Sequence, residues 1–119
     1  MFSEFLESIV NRVEGTLGAA LMGMDGIPVE KCLPAVSINI ESLAAEYSAF
    51  LRASSSTTED AGLGPLEELI VSSEQRIAAV RMITPEYFLL ILLKRDGNLG
   101  RARFELKKAR FALAKELAI

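Results

Sequence analysis

The chain of 119 residues contains no histidine, and Cys32 is its only cysteine. Ser-His-Asp and Cys-His triads are therefore out of reach, as are the common zinc constellations, which need several thiolates or imidazoles at short spacing. The carboxylates retain the chemistry to hold a hard cation, but none falls at a recognisable ligand spacing. Glycines pair up at Gly15-Thr-Leu-Gly18 and Gly97-Asn-Leu-Gly100. Neither stretch makes GxxxxGK[ST] or GxGxxG, the patterns whose backbone amides cradle phosphates, so the chain is not expected to hold a nucleotide itself. Arg52, Arg76, Arg81, Arg95, Arg101, Arg103 and Arg110 are each chemically able to reach a transition-state phosphate. Scattered surface arginines are ordinarily solvated charge, and none is assigned as a catalytic finger. Met22, Met24 and Met82 read as core filler, and Cys32 as a small apolar occupant rather than a reactive thiol. The expectation is a protein with no active site of its own, no metal and no cofactor.

Two groups of residues have the chemistry of binding instead. Ala45, Ala49 and Ala53 recur every fourth position, and small side chains at that spacing let a second helix approach closely. Alanine is also the best helix former, and the same row is compatible with a face turned to water. Phe104 and Phe111 stand seven residues apart among Lys107, Lys108 and Lys115. Large aromatics beside cations make a partner patch if both rings are exposed; the alternative is that one ring packs against a neighbouring helix.

The elements that must position these groups are legible from periodicity. Tyr87 to Leu93 is apolar at every position, which describes a strand buried on both faces in the middle of a sheet. Asp96-Gly97-Asn98 breaks it, and Leu99, Ala102, Leu106, Ala109, Leu113 and Leu117 then recur at helical spacing. At the other end, Phe2, Phe5, Leu6, Ile9, Val10 and Val13 predict a first helix with Ser3 as its cap and a stop near Gly15. Leu17–Met24 and Ile27–Leu33 flank Asp25-Gly26, a strong hairpin signal. The second of these strands alternates Ile27, Val29, Lys31 and Leu33 against Pro28, Glu30 and Cys32, and Pro28 assigns it to an edge. A middle helix starts at Ile40 behind Asn39, with Ile40, Leu43, Ala44, Tyr47, Phe50 and Leu51 on one stripe. It is expected to fray into Ser54–Gly62, whose hydroxyls compete for backbone hydrogen bonds. Leu66–Ser72 and Arg76–Ile83 complete the set as two further strands.

Three tight hairpins and two very apolar strands give one solution. It is a single α+β domain over residues 1–119, with a five-stranded antiparallel sheet in the order 2-1-5-4-3. The first and third helices cover one face and the middle helix the other. Half the residues are hydrophobic, enough for a real core at this length. A net charge of −3 and a pI near 5.0 argue against nucleic acid as a partner. The acidic start of the chain and the lack of a long apolar run lead to an expectation of a cytoplasmic protein without membrane insertion.

The succession of elements resembles the roadblock family of small dimeric domains, and in particular its bacterial MglB-like branch, which acts with a Ras-like GTPase in gliding motility. The resemblance rests on Gly18-Ala-Ala-Leu-Met-Gly-Met-Asp-Gly-Ile-Pro-Val29, on Glu41-Ser-Leu-Ala-Ala-Glu-Tyr47 and on Asn98-Leu-Gly-Arg-Ala-Arg-Phe-Glu-Leu-Lys-Lys-Ala109. It implies a homodimer formed through the third strand and the middle helix, which places Ala45, Ala49, Ala53, Leu69 and Val71 at the interface. It implies a small Ras-like GTPase as partner, met by Glu41, Ser48, Arg52, Phe104 and Phe111. It further implies that hydrolysis is stimulated by positioning the partner's switch loops, with a role in cell polarity or motility. A scaffold subunit that leaves hydrolysis untouched, and a small-ligand sensor using a pocket under the fraying helix, are the other functions compatible with such a domain.

Overall fold

The structure is a computed structural model that describes residues 2–34 and 38–117. Its elements run α1 (Phe2–Arg12), β1 (Thr16–Gly23), β2 (Pro28–Cys32), α2 (Ile40–Asp60), β3 (Glu68–Ser72), β4 (Arg76–Thr84), β5 (Tyr87–Lys94) and α3 (Leu99–Leu117). The five strands form one sheet in the order β2-β1-β5-β4-β3, antiparallel throughout. The two most apolar strands pair at its centre, with Ala20 opposite Leu90 and Ala19 opposite Ile91.

Alternation along β1, β4 and β5 feeds two cores. Ala19, Leu21, Ala79, Leu89, Ile91 and Leu93 meet Leu6 and Ile9 of α1 and Ala102, Leu106, Ala109 and Leu113 of α3. Ala20, Met22, Ala78, Val80, Phe88 and Leu90 meet Ile40, Ala44 and Leu51 of α2. Burying each large side chain in these layers stabilises the fold by about 1.5–3 kcal/mol, and both faces of β5 contribute.

Local departures from the sequence pattern have physical causes. Ser3 lies inside α1, which begins at Phe2, and does not cap it. Asn39 does cap α2: its Oδ1 accepts from the Ser42 amide at 3.0 Å. Asn39→Ala should therefore cost about 1 kcal/mol in urea unfolding, and an unchanged midpoint would show the cap to be idle.

Ser54–Asp60 does not fray, because α2 runs on to Asp60. The hydroxyls that were expected to compete with the helix bond within it instead, Thr57 to the Ala53 carbonyl and Thr58 to that of Ser55, both at 3.0 Å. Beyond Asp60 the Leu63 amide reaches the Thr58 carbonyl and the Gly62 amide that of Glu59, which closes the helix end.

The stripe of α2 is also rotated. Phe50 is 47% exposed, and Ser48 takes the inward place at 3%, its hydroxyl donating to the Ala45 carbonyl at 2.7 Å. In β2 the expected alternation is broken by a bulge opposite Leu21 and Met22. Ile27 and Val29 consequently lie exposed.

Candidate functional site

The two edges of the sheet differ. On one side β2 carries Pro28 and a bulge, both of which blunt an edge against further pairing. On the other, Glu68-Leu-Ile-Val-Ser72 runs without proline or bulge in continuous register with β4. Its outer edge has no partner strand among the described residues. Charges hold this strand in place. Glu68 accepts from Arg81 at 3.3 Å and from Arg103 of α3 at 2.5 Å, while Arg110 stands 3.5 Å from Glu67. Arg81 is itself buried at 8% exposure.

Above β3 the sheet is thinly covered, because α2 packs mainly over β1. An open groove results, floored by Val71, Ala78 and Leu92 and walled by Leu43 and Tyr47. Phe50 follows one turn on, its ring edge-on to Tyr47 at 5.9 Å between centroids. Partial burial pushes the Tyr47 phenol up, so it stays neutral and acts as an apolar wall with a hydroxyl at its tip. The opposite flank of α2 is tied to the first hairpin: Lys31 pairs with Glu41, and Arg52 donates to the Met24 carbonyl at 2.5 Å.

The residues singled out from sequence are not brought together in one place. Leu69 and Val71 lie on the α2 side of the unpaired strand, half-buried. Ala45, Ala49 and Ala53 are exposed, but at about 100° per residue Ala49 and Ala53 point away from the sheet, opposite Ala44 and Leu51. The apolar flank that overlooks β3 is instead Leu43 and Tyr47, which pack partly buried against the core as their stripe predicts, whereas Phe50 of the same stripe is exposed. Ser48 is buried and presents nothing to a partner. Glu41 and Arg52 are on α2, whereas Phe104 and Phe111 are on α3, across the sheet and exposed by 54% and 74%.

Among the described residues no cluster of metal-ligating side chains occurs, and no helix is long and apolar enough to cross a membrane. Cys32 is half-buried; burial first, then the charges of Glu7 and Glu30, push its thiol up, which works against thiolate chemistry. Of the seven arginines outside α1, all but Arg76 already hold an acid, hydroxyl or carbonyl of the same chain.

A five-stranded antiparallel sheet in this order, with two helices on one face and one on the other, is the roadblock/profilin-like fold. A sequence profile of the Roadblock/LC7 domain matches residues 3–93, and the chain belongs to that family. An uncharacterized protein of Methanocaldococcus jannaschii is 30% identical over 100 residues, covering 84% of this chain and 86% of that protein. Among solved structures, MglC from Myxococcus xanthus is 32% identical, with a TM-score of 0.68 over 96% of this chain and 97% of that one. A Roadblock/LC7 domain from Streptomyces avermitilis superimposes with a TM-score of 0.89 at 17% identity, over 98% of both chains. The gliding protein MglB from Thermus thermophilus has a TM-score of 0.85 at 19% identity, over 94% of this chain and 84% of that one. The relatives are thus archaeal as well as bacterial.

Proposed function

We propose that the chain is a dimeric regulator of a small Ras-like GTPase. The observation that carries the dimer is the asymmetry of the sheet edges: only β3 is free of the devices that prevent strand addition. Two copies joined antiparallel through β3 extend the sheet across a two-fold axis. The groove beside β3, with Leu43, Tyr47 and Val71, is then filled by the same residues of the second copy. Self-association also accords with a solved MglB described in a tetrameric arrangement. In this arrangement Ala45, Ala49 and Ala53 all lie outside the contact, on the outer surface of the α2 helices.

That outer surface is the one we assign to the GTPase. Ser42, Ala45, Ala49 and Ala53 make it flat, with Glu46 and Arg52 at its border. Family membership and the kinship with MglB and MglC support a GTPase as the occupant. All the arginines but Arg76 are engaged within the chain, and stimulation of hydrolysis would come from ordering the partner's own switch loops and water-positioning group. A scaffold role uses the same surfaces without that ordering. A small-ligand sensor would use the cleft under the end of α2, lined by Met24, Arg52, Ser55, Leu66 and Met82.

Single-turnover GTP hydrolysis by a Ras-like GTPase of the same organism, with and without this protein, tests the reading. The expected result is acceleration together with tighter co-elution in the GTP-loaded state. Binding that ignores the nucleotide, without acceleration, would make the protein a scaffold. No binding to any such GTPase would end the assignment.

A further inference from the structure

We propose that the outer face of α3 adsorbs to an anionic lipid bilayer. Helix α3 carries six of the chain's 13 cationic residues and only two of its 16 acids, in a protein whose net charge is −3. Of those two acids, Glu105 is buried at 2% exposure. It is matched by Arg101 at 3.0 Å, Arg12 at 3.4 Å and Lys108 at 3.9 Å. The stripe pointing furthest from the sheet then consists of Phe104, Phe111, Lys107, Lys108 and Lys115. Phe104 lies between cations, with Arg101 at 5.5 Å and Lys108 at 5.7 Å from its ring centre.

The neighbouring helix does not cancel this charge. The flank of α1 that faces α3 carries Phe5, Ser8, Ile9 and Arg12, whereas Glu7 lies on the other side, close enough to Cys32 of β2 to act on its thiol. Glu7 is therefore turned away from α3, whose exposed acid is Glu116 near its C-terminal end, while its cations run along its length.

The shape favours a bilayer over a protein partner. The two rings stand on one helix about 10 Å apart along its axis, on a ridge. The cleft between α1 and α3 has a volume of only about 80 Å³, too small to seat a partner helix. Aromatic rings flanked by snorkelling lysines on a convex face suit a fluid anionic plane, where rings enter the headgroup layer and ammonium groups stay among the phosphates. The inference does not draw on the GTPase reading, since the ridge is complete in each copy.

Co-sedimentation of the protein alone with vesicles tests it. Wild type should pellet with phosphatidylcholine vesicles containing one-third phosphatidylglycerol, should remain in solution with pure phosphatidylcholine, and should be released by high salt. Phe104→Ser combined with Phe111→Ser should weaken binding about tenfold, as should Lys107→Glu combined with Lys115→Glu. The second pair alters only exposed charge and keeps the test open should the first misfold. Phe111→Trp should show a blue-shifted emission on anionic vesicles. The proposal is overturned if wild type ignores anionic vesicles, binds neutral ones equally well, or binds unchanged after both pairs of substitutions. It is also overturned if wild type ignores vesicles but binds a synthetic glutamate-rich amphipathic helix through these residues, which would give the ridge to a protein partner.

Discussion

Gly15→Ala should lower the free energy of unfolding by about 3 kcal/mol, whereas Gly62→Ala should lower it by about 1 kcal/mol. Both glycines adopt positive φ, +85° and +74°, so an L side chain at either position costs about 1–2 kcal/mol in backbone strain. They differ in their surroundings. A Cβ at Gly15 would sit 2.5 Å from the Gly97 Cα and 3.3 Å from its amide nitrogen, while nothing lies within 4 Å of one at Gly62. Backbone cannot rotate away as a side chain can, so the loops must part, which adds about 1–3 kcal/mol. These loops are also joined by the Lys94 amide to the Gly15 carbonyl at 2.8 Å and the Asn98 amide to that of Glu14 at 2.9 Å. The crossing thus fixes the end of α1 against the start of α3. Urea unfolding of both variants at one protein concentration checks the prediction, since the proposed dimer would add to apparent stability. Equal losses would mean that the crossing is loose.

The contrast between Gly15 and Phe50 shows what the sequence could reveal. Gly15 stood at the end of a regular apolar period, and a residue that tolerates positive φ belongs there whatever packs around it. The strand order followed similarly from short turns and from the unbroken apolar run of β5, both local signals. Phe50 was misassigned because its spacing from Tyr47 and Leu51 fits a core stripe; its exposure depends on where α2 lies over the sheet, a tertiary fact. With α2 over β1, the helix turns Ser48 inward, and Phe50 is left exposed at the edge of Tyr47. Glu105 was unreadable for a related reason. A carboxylate in a helix reads as solvent-facing until Arg12, ninety-three residues away, closes over it. Of the candidate site, the place of Leu69 and Val71 on an edge strand was legible in the strand order. Choosing between the two flanks of α2 required the ties of Glu41 and Arg52 to the first hairpin.

In the proposed β3-paired dimer, Val71→Glu should leave a monomer, raising the dissociation constant by about a hundredfold or more, equivalent to about 3 kcal/mol. Val71 is half-buried on β3 and lines the groove under Tyr47. In a two-fold dimer built on this edge, one substitution places two carboxylates in the contact, where each loses water. The lone chain should tolerate the change, because the groove is open in the absence of a partner. Val29→Glu is the matched control: Val29 lies on the opposite edge, beside the bulge and Pro28, and its dimer should remain intact. Sedimentation velocity at micromolar concentration separates the outcomes. If Val29→Glu dissociates the protein and Val71→Glu does not, pairing runs through β2 and the edge argument fails. If Val71→Glu yields a folded monomer, its effect on GTP hydrolysis by the partner becomes informative. A platform made from two α2 helices should lose stimulation with the dimer, whereas a monomer that still stimulates would place the GTPase contact within a single copy.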